Sequence, residues 1–175
     1  MPLVLVTGGA SSGKSDFALT LLKDREDVLF IATGVATDGE MAAKIERHRR
    51  NRPASWETLE EPTDIVGALG RLGESRADLI IDDLTFWVSN LLFGEGMTPG
   101  EVLSEAERAA KILEGRAGES IVVTNEIGMG IVPPEEATRS FRVAAGDVNR
   151  IFAAHAYQVH LVVSGVPVTI KGGRP

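Results

Sequence analysis

Leu3-Val4-Leu5-Val6-Thr7-Gly8-Gly9-Ala10-Ser11-Ser12-Gly13-Lys14-Ser15 is the stretch that decides the fold. Four consecutive apolar residues predict a short strand buried on both faces, and such strands belong to parallel sheets covered by helices. The residues from Gly8 to Ser15 then satisfy G-x-x-x-x-G-K-[S/T] in full. In that pattern glycines let backbone amides turn inward around phosphate oxygens, and the next helix adds the positive end of its dipole. The lysine brings a cation to the β- and γ-phosphates, and the serine hydroxyl can ligate Mg²⁺. A turn that merely joined strand to helix would need neither the lysine nor the flanking elements. Gly8, Gly9, Ala10, Ser11, Ser12, Gly13, Lys14 and Ser15 are therefore read as a nucleotide cradle, with Ser15 as a Mg²⁺ ligand.

Working outward, strand-like runs recur at Val28–Ile31, Leu79–Ile81, Ile121–Val123 and Val159–Val163. Helical stretches are expected at Ser12–Lys23, Glu40–Arg52, Thr98 to about Gly115 and Glu135–Tyr157, as parallel strands require. Thr98-Pro99-Gly100-Glu101 combines an N-cap hydroxyl, a proline at the first helical position and a carboxylate that can reach back. Thr37-Asp38-Gly39-Glu40 repeats the Thr-x-x-Glu spacing, and Pro53 closes the helix that follows it. Glycines at 67, 70 and 73 weaken a helix between Pro62 and Gly73. The expected class is α/β: one P-loop NTPase-like, RecA-like domain over residues 1–175, with a mostly parallel sheet flanked by helices.

Ligands of open α/β sheets bind outside the carboxyl ends of the strands. Those ends are polar here: Thr7-Gly8-Gly9, Thr33-Gly34, Asp82-Asp83, Thr124-Asn125-Glu126 and Ser164-Gly165. A phosphate-loop cation site needs a carboxylate at the end of another buried strand. Alternation along the strand turns Asp82 and Asp83 to opposite faces, and Asp82 is the one taken to face the nucleotide and its Mg²⁺.

The chain has 175 residues, 43% hydrophobic and 25% charged, with a formal net charge of −7. These values suit one globular domain and argue against disorder, a chain-wide nucleic-acid surface or an anionic-membrane surface. With no cysteine there is no disulfide, thiolate metal site or thiol nucleophile. No apolar run approaches the roughly 20 residues that span a bilayer, and the first strand is too short for a signal peptide, so a cytoplasmic location is expected.

Residues 44–52, Lys-Ile-Glu-Arg-His-Arg-Arg-Asn-Arg, carry five cations against one carboxylate, a local +4 that leaves −11 for the rest of the chain. A solvated helix face is the usual explanation of such a run. Met41, Ile45 and His48, however, share one face at helical spacing, which sets the histidine on the apolar stripe. It is either a hydrogen-bonded core histidine or a nucleophile whose uncharged form the neighbouring arginines favour, and those arginines could also clamp a polyphosphate. From the residues alone the two readings stand level. His155 and His160 read as structural, and no histidine-rich metal spacing is present. Trp56 and Trp87 read as packing residues, with Trp56 close enough to the island that it could wall a base.

Five ordered blocks give a resemblance to a known family. They are Thr7–Ser15; Ile31-Ala32-Thr33; Glu40-Met41 through His48 and Pro53 to Glu60; Asp82 with Leu84-Thr85 through Leu92; and Thr124-Asn125-Glu126-Ile127-Gly128-Met129-Gly130-Ile131-Val132-Pro133. Along nearly its whole length the chain resembles the bifunctional adenosylcobinamide kinase / adenosylcobinamide-phosphate guanylyltransferases of cobalamin biosynthesis. The resemblance implies phosphorylation of the aminopropanol hydroxyl of adenosylcobinamide by ATP or GTP. GMP from GTP would then pass to that phosphate, giving adenosyl-GDP-cobinamide and pyrophosphate. It implies that His48 carries the guanylyl group, that Thr33, Gly34, Val35, Arg49, Arg50, Asn51, Arg52, Glu60 and Asp82 contact nucleotide, and that the protein is a trimer. Ser11 stands where the family usually has an arginine, so a phosphate-facing cation is either missing or supplied by Arg49 or Arg50. Asp83 stands where the residue is commonly uncharged. Two other readings compete: a monofunctional P-loop small-molecule kinase with a structural His48, and a nucleotide-dependent switch in which Asn125–Pro133 is a partner surface.

Overall fold

The computed structural model describes residues 3–36, 39–50 and 52–172, and for Glu40, Met41, Lys44, Arg47 and His48 the backbone only. The capping residues Thr37 and Asp38, Asn51 and the His48 side chain thus lie outside the described residues. In chain order the elements are β1 (Leu3–Gly8), α1 (Lys14–Leu21), β2 (Val28–Ala32), α2 (Gly39–Arg50), β3 (Glu57–Glu60), α3 (Ile65–Leu72) and β4 (Asp78–Asp82). Then come α4 (Leu84–Ser89), which runs on as a π-helical turn over Asn90–Gly94, α5 (Pro99–Gly115), β5 (Ser120–Asn125), α6 (Glu136–His155), β6 (Gln158–Val163) and β7 (Val166–Lys171).

The strands form one sheet in the order β3-β2-β4-β5-β1-β6-β7. The first six are parallel, and β7 runs antiparallel to β6. The expected class is observed: helices cover both faces of a mostly parallel sheet. Leu3, Leu5, Leu79, Ile81 and Val122 turn to one face, where α3, α4, α5 and α6 pack on them. Val4, Val6, Phe30, Ile80 and Val123 turn to the other, where α1 brings Ala18 and Leu22. No described helix is long and apolar enough to cross a membrane.

Two of the seven strands escaped the sequence reading for physical reasons. β3 is polar and mostly exposed at the sheet edge, so it lacks the apolar run that marks a buried strand. β7 is exposed throughout, and Ser164 and Gly165, read as a strand end, are the turn of the β6–β7 hairpin with φ of 52° and 79°. α1 starts at Lys14, not Ser12, because Gly13 has φ 89° and caps rather than continues the helix. The glycine-weakened segment does form a helix, α3, with Asp64 accepting from Gly67 N at 2.8 Å as its N-cap. At α5 both bonds of the expected capping box are present.

Both tryptophans pack. Trp87 is wholly buried with its indole N–H on the Thr63 carbonyl at 2.7 Å. Trp56 corrects the base-wall idea: its ring lies in the core on the α1 side and its N–H donates to the Arg25 carbonyl at 2.9 Å. His160, in β6, shares a hydrogen bond with Thr169 at 3.0 Å and meets the Phe17 ring edge to face. His155 closes the last turn of α6 onto α5, with Nδ1 2.7 Å from Glu114 and Nε2 3.3 Å from Glu107.

The hydrogen bond to Glu114 is the main cause that raises the His155 pKa above 6.5. A histidine with a raised folded-state pKa contributes its stability fully below the unfolded value and loses it as pH climbs through the folded one. His155→Ala should therefore lower the melting temperature by about 2–4 °C at pH 6, the shift that about 1 kcal/mol produces in a chain of this size. The difference should shrink by pH 8.5, as thermal melts of both proteins across that range would show.

Candidate phosphate-transfer site

The site lies where the carboxyl ends of the parallel strands meet. β1 delivers the phosphate loop there. A Cβ on Gly8 would sit 2.5 Å from the Val162 carbonyl oxygen and 2.6 Å from Ser12 Oγ, so only glycine lets β1 run this close to β6. The loop then turns through Ser11 at φ 55° and Gly13 at φ 89°, and Gly165 N ties it to β6 by donating to Ser12 O at 2.8 Å. Lys14 is buried, with Nζ donating to the Gly9 carbonyl at 3.2 Å, so the ammonium is curled over the loop. The buried hydroxyls of Thr7 and Ser12 have no hydrogen-bond partner among the described residues.

β4 supplies the carboxylates, and they diverge. Ser15 Oγ lies 3.4 Å from Asp82 Oδ1, which sets the loop serine and the strand-end carboxylate side by side. Asp83 turns away into the protein. It is 6% exposed and N-caps α4 by accepting from Phe86 N at 2.9 Å. Its other oxygen accepts from Asn125 Nδ2 at 2.8 Å.

Thr33, at the end of β2, is fully buried. Its hydroxyl donates to the Asp83 carbonyl at 2.7 Å and accepts from Asp83 N at 2.9 Å, and its amide donates to the Asp82 carbonyl at 3.1 Å. Thr33 therefore fixes the end of β4, and its side chain is turned inward. Gly34 follows, facing Ile45 of α2 at 3.8 Å from where its Cβ would be, and Val35 is exposed.

The arginines of the island divide. Arg50 pairs with Glu46 one helical turn away at 3.0 Å, and Arg49 pairs with Glu60 at the end of β3. Both are substantially exposed. Arg52 lies inward: its guanidinium stacks 3.5 Å from the Phe30 ring centroid, and Nη1 donates to Thr58 Oγ1 at 3.3 Å. Burial is the main cause that lowers its pKa, and the negative charge of Asp82 acts against that shift. Among the described side chains, then, the structure sets Ser15 against Asp82 beside the loop that holds Lys14, stacks Arg52 on Phe30, and pairs Arg49 with Glu60 and Arg50 with Glu46.

A polar network behind the site was read from the sequence only as a polar strand end. Asn125 N donates to Thr85 Oγ1 at 2.9 Å, Asn149 Nδ2 donates to the Asn125 carbonyl at 3.0 Å, and Thr124 Oγ1 donates to Asn149 Oδ1 at 2.6 Å. Glu126 N reaches Gly8 O at 3.0 Å. Beyond it, Arg142 donates to the carbonyls of Gly128 and Ile131, and Arg139 to those of Pro133 and Pro134. This shapes a rim loop whose Met129, Ile131 and Val132 side chains are exposed.

A strand, a glycine loop folded around a lysine, and a neighbouring strand-end carboxylate on the loop serine define a P-loop nucleotide-binding α/β protein. Residues 4–170 match the cobinamide kinase / cobinamide phosphate guanyltransferase family, and the chain belongs to that family of enzymes. It is 42% identical to the bifunctional adenosylcobalamin biosynthesis protein CobU of Salmonella typhimurium, over 97% of this chain and 99% of that one. Identity to the protein of the same name from Escherichia coli is 39%, over 97% and 99%. The bifunctional adenosylcobalamin biosynthesis protein CobP of Pseudomonas aeruginosa is 38% identical over 96% of both chains. Two solved structures share the fold alone. One is a Pyrococcus horikoshii protein, TM-score 0.52 at 8% identity over 99% of this chain and 87% of that one. The other is an ATPase of a bacterial type III secretion system, TM-score 0.51 at 13% identity over 96% of this chain and 56% of that one.

The close approach at Gly8 separates two glycines of the motif. Gly8→Ala should cost about 1–3 kcal/mol through overpacking against backbone. Gly9→Ala, which would meet nothing within 4 Å, should leave stability within about 0.5 kcal/mol. Urea unfolding of the two variants, without nucleotide, gives the comparison.

Proposed function

We propose that this chain carries out both family reactions, with the phosphate loop, Asp82 and the α2 segment as one site within a single domain of residues 1–175. In the first reaction the aminopropanol hydroxyl of adenosylcobinamide attacks the γ-phosphorus of ATP or GTP. It loses its proton, and the nucleoside diphosphate departs. In the second an imidazole nitrogen of His48 attacks the α-phosphorus of GTP. A nitrogen–phosphorus bond forms, the bond to the bridging oxygen breaks, and pyrophosphate leaves. The phosphate of adenosylcobinamide phosphate then displaces the histidine, giving adenosyl-GDP-cobinamide. Covalent carriage divides one difficult transfer into two easier ones.

The observation that carries this reading is the pairing of Ser15, at the start of α1, with Asp82, at the end of β4, beside a phosphate loop over which Lys14 is curled. Amides of the Gly8–Ser15 loop and Lys14 would hold the triphosphate and stabilise charge as it develops on the transferred group. Thr33, Gly34, Val35, Arg49, Arg50, Asn51 and Glu60 would complete the nucleotide surroundings, Thr33 through the strand end it fixes. Ser15 and Asp82 offer paired hard oxygen donors, a set that suits Mg²⁺. Bound there, the ion would neutralise charge on the phosphates. The cytoplasm and a trimeric assembly complete the proposal, and sedimentation of the pure protein would give the assembly state.

α-Labelled GTP should leave acid-labile label on the wild-type protein and none on His48→Ala, while phosphorylation of cobinamide persists in that variant. Equal labelling of both would remove His48 from the mechanism. Lys14→Ala should lower the phosphorylation kcat by about 100-fold or more, as loss of a preorganised charge at the transferred group does.

A further inference from the structure

We propose that Asn125 is a positioning residue for phosphoryl transfer, acting through Asp83 to hold the Asp82 carboxylate against Ser15; this rests on the function proposed above. β5 lies between the strand that leads into the phosphate loop and the strand that ends in Asp82. Its register sets Asn125 opposite Gly8 on one side and Val123 opposite Asp82 on the other. Ser15 opens α1 just after β1, and Asp82 ends β4, so within the sheet β5 is the strand that spans the two sides of this pair.

The hydrogen bonds trace that connection. On the β1 side, Glu126 N donates to Gly8 O at 3.0 Å, which fixes the peptide after Asn125 to the first glycine of the loop. Asn125 is held from behind by Thr85 and Asn149 through its own backbone N–H and carbonyl. With its backbone anchored, its side-chain amide donates to Asp83 Oδ2 at 2.8 Å. Asp83 is immobilised as well: Oδ1 accepts from Phe86 N, and both of its backbone polar groups are bonded to the Thr33 hydroxyl. The residue joined to Asp83 is Asp82, whose carboxylate lies 3.4 Å from Ser15 Oγ.

Asp83 is almost completely buried. Removing the amide from Asn125 takes away a hydrogen bond from a buried carboxylate, and the end of β4 readjusts. A shift of about 1 Å at a catalytic carboxylate is enough to slow transfer markedly while leaving the phosphate loop, and hence nucleotide binding, in place.

The test uses the full chain and two measurements: kcat for cobinamide phosphorylation, followed by nucleoside diphosphate release, and equilibrium binding of a fluorescent ATP analogue. Asn125→Asp sets two carboxylates face to face, and Asn125→Ser removes the amide without adding charge. Each should lower kcat by about tenfold or more and change nucleotide affinity by less than about threefold. The double variant Asp83→Asn with Asn125→Asp restores the hydrogen bond with donor and acceptor exchanged, and its kcat should return to within about threefold of wild type.

Single variants as fast as wild type would overturn the proposal, and so would a double variant as slow as the singles. Parallel loss of affinity and kcat would make Asn125 a ligand contact instead, which also overturns it. Should the wild-type protein turn over nucleotide without phosphorylating cobinamide, the proposed substrate fails, and the same variant set is scored on nucleotide hydrolysis.

Discussion

β1 is bonded along both edges, to β5 and to β6, and every residue from Leu3 to Gly8 is buried. A parallel strand in that position needs helices on both sides and apolar side chains in both directions. Leu3 and Leu5 serve one core, Val4 and Val6 the other. The strand has no freedom to slide, so the point at which it ends, and the height of the phosphate loop above the sheet, are fixed by the packing of the whole chain. The missing side chain at Gly8 belongs to the same constraint, because it lets β6 close on β1 where the loop begins.

Around that fixed loop, charge is distributed against the average. The chain is acidic overall, yet the end of α2 and the residue Arg52 beyond it carry a cluster of arginines. They are held in three ways: by an ion pair to Glu60, by a pair within the helix, and by a guanidinium laid on Phe30. The exposed pairs add little stability. The stacked Arg52 differs, since its plane lies on Phe30 and is partly removed from water. Net charge therefore speaks to the surface as a whole and leaves a small anion pocket unaffected.

Legibility in the sequence followed burial. Buried parallel strands and capped helices announce themselves by apolar runs and by residues such as Thr98 and Glu101, and they were read closely. Edge strands carry no such signature: β3 is polar on both sides, and β7 is a solvent-facing hairpin arm with Pro167 in it. Within the site, the loop motif was complete because its chemistry is local in sequence. Alternation suggested that Asp82 and Asp83 diverge; in the structure Asp82 lies beside Ser15, and Asp83, which caps α4 just past β4, accepts from Asn125. Bonds among Asn125, Thr85, Asn149 and Asp83 join three elements far apart in sequence, β5, α6 and the capped start of α4, so no spacing rule could signal them. The role of Arg52 was hidden for the same reason, since its partners Phe30 and Thr58 lie on two different strands.

The order of strands also says something about how the protein comes to exist. β1 is made long before its neighbours, which begin at Ser120 and Gln158. During synthesis the apolar strand and its glycine loop leave the ribosome with nothing to pair with until most of the polypeptide has followed. Such long-range pairing is slow and leaves unpaired apolar strands open to association. The loop therefore gains both of its flanking strands only after β6 has been made. A fragment cut short before β6 would keep the whole motif and lack the strand that closes against it.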